Sequence, residues 1–233
     1  MRFNPHFGSR LLAIWLAAFL LVASAAVPLS ASAHFLHYNS QRWAWTDGSQ
    51  ALLNLYYERN CASDWWTPDS AANAWTATPT PLFYHYATAP DCGGPHQGRI
   101  QVLNGNSGTG LAWTQNYTRD CVWFICWWDL NFTDRIDASM VFENHQNNAY
   151  DNLKANERLD VIKHEFGHSV GLAHAGYYGG DSPLPGPGYP WGVYSIMDYC
   201  CPSDYTGWPY FVPTTPSAHD INDIKTLYPS RYW

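Results

Sequence analysis

Apolar and polar positions along the chain mark out strands first and helices later. Ala51 to Glu58 is an apolar and aromatic run that predicts a strand. Asp64 to Thr76 predicts a helix. Ala71, Ala72, Ala74 and Trp75 supply propensity and a core face, Pro68 suits an early position, and Asp64 or Thr67 can cap it. Leu82 to Ala87 and Arg99 to Leu103 predict two further strands, and Asn104 to Gly110 a turn or loop. Leu111 to Asn131 is aromatic and carries one cysteine pair, which predicts an irregular hairpin. Ile136 to Glu143 alternates as a strand does, and Asn156 to Ala173 is the strongest helical segment. Tyr177 to Pro190, rich in Gly, Pro and Tyr, predicts a loop. Ser217 to Leu227 predicts a last helix: Ser217 and Asp220 resemble a capping box, and Ile221, Ile224 and Leu227 share a face. No internal repeat or flexible linker appears. Strands followed by helices, without regular alternation, predict an α+β fold.

One apolar run fits neither pattern. Leu11 to Ala23 is unbroken, follows Arg2 and Arg10, and precedes Ala31-Ser32-Ala33. That run is too short for a comfortable membrane span and suits the core of a secretory signal. Residues 1–33 are therefore expected to be a signal peptide, with His34 first in the mature chain. Ser24-Ala25-Ala26 is a second possible cut, and an uncleaved anchor is the alternative. Residues 34–233 are expected to form one catalytic domain, extracellular and monomeric. No second long apolar run follows, so no membrane association is expected after cleavage.

Composition then narrows the function. The 233 residues are 46% hydrophobic and only 13% charged, which excludes a disordered polar chain. Acids outnumber bases 19 to 12, and removing Arg2 and Arg10 takes the net charge from -7 to -9. No basic excess exists to neutralise phosphates, so nucleic acid is not an expected partner. After export the six cysteines meet an oxidising compartment. Cys61 with Cys92 and Cys121 with Cys126 are the most plausible pairs by proximity. They leave Cys200 and Cys201, whose adjacent positions would strain a bridge, so a crossed pattern stays open.

The candidate chemistry lies in His164-Glu165-Phe166-Gly167-His168-Ser169-Val170-Gly171-Leu172-Ala173-His174. His164 and His168 are one helical turn apart, so both imidazoles share a face and can share a metal. Gly171 can take the left-handed conformation that ends the helix, letting His174 approach from another direction. Three neutral imidazoles favour Zn2+ and leave a fourth position for water. Glu165, rotated ~100° from the first ligand, is placed to act as general base.

This pattern, HExxHxxGxxH followed by a methionine turn, resembles the metzincin zinc peptidases, with Ser195-Ile196-Met197-Asp198-Tyr199 as the turn. Asn156 to Ala175 and the last helix are most similar to matrixins. The resemblance implies a twisted, mostly parallel five-stranded sheet with two long helices above a zinc cleft. A small irregular C-terminal subdomain ending in a helix lies below it. It implies zinc on His164, His168 and His174, Glu165 as the catalytic residue, and Met197 beneath the ligands. It implies an extended polypeptide substrate, pairing with an edge strand expected at Ser139 to Glu143. A pocket formed by the active-site helix and the residues after Met197 would set its preference.

The chain departs from matrixins in three places. No propeptide with a zinc-blocking cysteine precedes the domain, so latency is not expected. The loop from His174 to Met197 is longer. Tyr199 stands where astacins and serralysins carry a tyrosine that approaches the zinc or the oxyanion, and its other reading is a pocket wall. Asp220 aligns with the acid that supports the methionine turn, or is an ordinary helix-start acid. Oxygen-rich loops at Asp47-Gly48-Ser49 and near Asp181 leave structural Ca2+ open, although neither matches a calcium loop.

Two other functions stay in view. An aromatic-rich binding module with a structural zinc would use exposed Trp, although Trp65, Trp66, Trp75, Tyr56 and Tyr57 fall within predicted elements and suggest core. Trp191 and Trp208 flank the methionine turn and could line the cleft. A zinc hydrolase acting on cell-wall peptides would share the same chemistry.

Overall fold

The computed structural model describes residues 42–43, 52–106, 110–130, 135–172, 195–197 and 215–228. The expected signal peptide, the Tyr177 to Pro190 loop and both oxygen-rich loops lie outside them, as do Cys200, Cys201, Trp191 and Trp208.

Strands come first, as their sequence pattern predicts. They are β1 (Arg42–Trp43), β2 (Leu53–Cys61), β3 (Leu82–Ala87), β4 (Arg99–Gly105), β5 (Ala112–Val122), β6 (Ile125–Leu130), β7 (Arg135–Ile136) and β8 (Ala138–Asn144). Helix α1 (Trp66–Thr76) connects β2 to β3, and α2 (Ala155–Ser169) and α3 (Ala218–Leu227) follow the sheet. The fold is α+β with a mostly parallel sheet. Its order is β3-β2-β4-β8-β5-β6, and a separate parallel pair joins β1 to β7. The β3–β2, β2–β4 and β4–β8 pairs are parallel, while β8–β5 and β5–β6 are antiparallel.

Two expectations change. The sheet has six strands, because Leu111 to Asn131 forms a regular hairpin whose second arm, β6, is added outside the expected five. Ser139 to Glu143 is not an edge strand. It lies inside β8, paired to β4 on one side and β5 on the other. The reason is that the hairpin folds back antiparallel onto β8. That position explains why β8 is buried almost throughout rather than on alternate residues.

The core joins helices to sheet. Phe166 of α2 packs edge-on to Tyr57 and against Tyr84, and fully buried Trp75 of α1 donates its indole N–H to the Lys163 carbonyl at 2.9 Å. Aromatics expected in the core divide: Trp75 and Tyr57 are buried, but Trp65 and Tyr56 are exposed. Neither expected cap of α1 is used as one. The N-cap is Trp65, and Thr67 instead donates both its N–H and its hydroxyl to the Asp64 carbonyl. The Asp64 carboxylate pairs with Arg158 of α2.

Both close-range disulfides form, Cys61–Cys92 and Cys121–Cys126. Among the described residues no helix is long and apolar enough to cross a membrane.

Candidate metal centre

Helix α2 brings His164 and His168 together. Both are buried, and their Nε2 atoms lie 3.0 Å apart with the rings nearly perpendicular. Their other nitrogens define the protonation. His164 Nδ1 is 2.8 Å from the Ile196 carbonyl, and His168 Nδ1 is 2.7 Å from the Leu172 carbonyl. A carbonyl only accepts, so each Nδ1 carries the proton and each Nε2 presents its lone pair. Two lone pairs converging at that distance in a buried site repel unless a cation sits between them. Two nitrogens each ~2.1 Å from a tetrahedral zinc are about 3.4 Å apart, so the pair fits the ion after a small outward movement.

The end of α2 is built as Gly171 predicts. Gly171 has φ 95°, Gly171 N–H donates to the His168 carbonyl at 2.9 Å, and Leu172 N–H donates to the Gly167 carbonyl at 3.1 Å. These two bonds are a Schellman stop. They also turn the Leu172 carbonyl back onto His168, so the helix terminator positions a candidate ligand. His174 and Tyr199 lie outside the described residues.

Glu165 is buried and bonded to a residue that sequence reasoning missed. Thr114 of β5 donates its hydroxyl to Glu165 Oε2 at 2.6 Å, with the Glu165 carbonyl a second acceptor at 3.0 Å. Burial pushes the Glu165 carboxyl up to about 7, and the Thr114 hydroxyl bond works against that rise. Two residues along β5, Asn116 donates its amide to the His168 carbonyl at 3.0 Å. β5 thus grips the helix beside both candidate ligands. Its residues 112–116 pair with β8 on one side, and β6 begins pairing only at Tyr117. Among the described residues, no strand covers the other side of that stretch.

Met197 is buried against Gly167 of α2. A methyl at Gly167 would overlap the Met197 sulfur and crowd Trp75 at 3.2 Å, so glycine there permits the close approach. The turn before Met197 is anchored by Asp220 on α3. Asp220 accepts from the Ser195 hydroxyl, from Ile196 N–H at 3.1 Å and from Ser217 N–H at 2.7 Å. Ser217 in turn accepts from Asp220 N–H at 3.3 Å, which completes the capping box. Asp220 therefore contacts both the start of α3 and the turn before Met197. Ile196 links the two elements: its N–H faces Asp220 and its carbonyl faces His164.

A second anchor was not legible in the sequence. The Tyr228 hydroxyl donates to the Val170 carbonyl at 2.9 Å and accepts from Trp43 N–H at 3.1 Å, while the Trp43 indole donates to the Ser169 carbonyl at 2.8 Å. These bonds satisfy carbonyls that the end of α2 leaves open.

No family model matches the sequence, and no curated protein matches it. Among solved structures, high choriolytic enzyme 1 of the medaka fish Oryzias latipes, a hatching enzyme zinc-protease, is similar in arrangement. It is 16% identical, with 82% of this chain and 96% of that chain covered and a TM-score of 0.46. At that score the likeness carries no argument about function.

Proposed function

We propose that the chain is an exported, zinc-dependent endopeptidase of the metzincin type, monomeric and most similar to matrixins. One observation carries the reading: the converging Nε2 atoms of His164 and His168, each with its Nδ1 proton held by a carbonyl, beside a buried carboxyl. A passive structural site has no use for Glu165. His164, His168 and His174 would hold the ion. When bound, it supplies Lewis acidity to a peptide carbonyl and to water.

The chain's own residues do the rest. Glu165, lifted by burial to about 7, accepts a proton from water as the oxygen attacks the carbonyl carbon. It returns that proton to the leaving amine as the C–N bond breaks. Thr114 holds the carboxylate in place. Met197 supports the helix from beneath, Asp220 steadies the turn that orients His164, and Tyr199 is the candidate for a group near the oxyanion. Ala112 to Asn116 of β5 is the edge that would pair with an extended polypeptide, since this stretch lies beside Glu165 and His168 and has only β8 as a strand partner. Export is supported by the signal-like apolar run from Leu11 to Ala23 and by the two disulfides.

The test is direct. A Glu165→Ala variant should keep zinc, measured by metal analysis, and lose nearly all cleavage of a denatured protein. A chelator should abolish cleavage by the wild type. Equal cleavage by variant and wild type would overturn the mechanism.

A further inference from the structure

The hairpin of β5 and β6 ends in an apolar point. Val122, Trp123, Phe124 and Ile125 are consecutive and 57%, 94%, 88% and 63% exposed. Water-exposed apolar groups cost free energy, and four together at a tip are unusual for a surface. The turn itself does not require them. Trp123 has φ 60° at the first position of a two-residue turn, where hairpins favour glycine. An indole at that position is present despite the backbone, not because of it.

We propose that this tip, against the expectation of no membrane association drawn from the lack of a second long apolar run, anchors the protein at a membrane interface, inserting Trp123 and Phe124 among the headgroups and upper acyl chains of neutral phospholipid. Four features support a bilayer over other partners. First, the four side chains carry one hydrogen-bonding group, the Trp123 indole N–H, so a glycan would find almost no partners. Second, they expose on the order of 600 Å², less than the ~800 Å² per partner that a stable dimer buries.

Third, the backbone suits the interface, where water reaches the outward groups. The inward-facing N–H and C=O groups pair across the ladder from Tyr117–Leu130 to Val122–Ile125, up to the turn. The Cys121–Cys126 disulfide, one pair below the tip, orders the hairpin before it meets a membrane. The first charged positions back from the turn are Asp120 and Asp129. Trp123 lies three residue steps beyond Asp120, about 10 Å along the strand, which matches the 5–10 Å depth of an interfacial anchor.

Fourth, the charges near that level almost cancel, with Arg119 and Arg135 against Asp120, Asp129 and Asp137. Arg135 pairs with Asp137 at 2.8 Å and Asp120 at 3.8 Å, and Arg119 bonds Gln97 and lies over Trp128. With a net charge of -9 once Arg2 and Arg10 are removed, and no lysine on the hairpin, attraction to anionic lipid is not the driving force.

The experiment is flotation of the exported protein, its first residue checked by mass spectrometry, with phosphatidylcholine vesicles. The comparison is the double variant Trp123→Gly, Phe124→Ser, which suits the turn and keeps the disulfide. Wild type should float with the vesicles at low and high salt, and the variant should partition more than about tenfold less. Equal thermal melts of the two proteins would show that the loss is not unfolding. The anchor is overturned if the wild type does not float, or if the variant floats equally. It is also overturned if binding requires anionic lipid and disappears with salt. Self-association of the wild type without vesicles, absent in the variant, would instead assign the tip to a second copy of the chain. Protease activity is not needed for any of these readouts, so the anchor and the proposed enzymatic function fail separately.

Discussion

Thr114 shows how much one hydroxyl decides. It has one proton to give, and the Glu165 carboxylate, at 2.6 Å and nearer than the carbonyl, takes it. A hydrogen bond to a charged acceptor contributes about 1.5–3 kcal/mol, enough to choose one carboxylate orientation. Thr114→Val preserves the shape and removes the donor. It should lower kcat by ten- to a hundredfold while shifting Tm little, read by peptide hydrolysis and calorimetry. An unchanged kcat would mean that the base needs no such support. Gly167 works by the opposite means. It contributes no side chain, and the Met197 sulfur occupies the space a methyl would need.

At the scale of elements, α2 is positioned at its end by three different parts of the chain. The Schellman stop orients the Leu172 carbonyl, the Ile196 carbonyl holds His164, and Trp43 with Tyr228 binds the last helical carbonyls. Helix α3 joins this arrangement through Asp220. Removing its carboxylate in Asp220→Ala leaves the Ser195 hydroxyl and the Ile196 and Ser217 amides without their acceptor. The expected loss is about 2–4 kcal/mol of stability, measured by denaturant titration. Because Ile196 also holds His164, zinc affinity should fall roughly 10–100-fold in competition with a chelator. A loss of stability with unchanged zinc affinity would separate the turn from the metal centre.

At the scale of the molecule, a second buried carboxyl lies where β8, α1 and α2 converge. Glu143 has no solvent exposure, with Thr67 and Asp64 on one side and His145 at 3.7 Å. Burial, reinforced by the Asp64 charge, pushes its carboxyl from 4.5 up to about 7, against the opposing pull of His145 and the Asp64 and Thr67 hydrogen bonds. The folded protein therefore holds an extra proton between the two values. Stability from this site is full below about pH 4.5 and is lost as pH rises through about 7. Glu143→Gln should accordingly raise unfolding free energy by about 1–2 kcal/mol at pH 8, with the gain closing by pH 5. An equal gain at both pH values, in urea titrations, would show that Glu143 does not titrate in this range.

Much of this protein is written in short stretches of its sequence. The four-residue spacing of His164 and His168 places both rings on one face because a helix repeats every 3.6 residues. Gly171 ends that helix because only a residue without Cβ takes its φ easily, and Ser217 with Asp220 starts the last helix because their reach is three residues. Leu82–Ala87 is a strand with the ends its pattern predicts. Each of these is a local rule. Tertiary structure decided which strand is the edge, because one hairpin chose β8 as its neighbour. It also placed Thr114 on Glu165, across 51 residues of chain, and Met197 under Gly167. Alternation cannot distinguish a strand at an edge from one in the middle, and no spacing relates residues joined only by packing. Side-chain exposure is decided in the same way. Val122 to Ile125, apolar in the sequence, stand in water in the structure, because no element packs over their tip among the described residues.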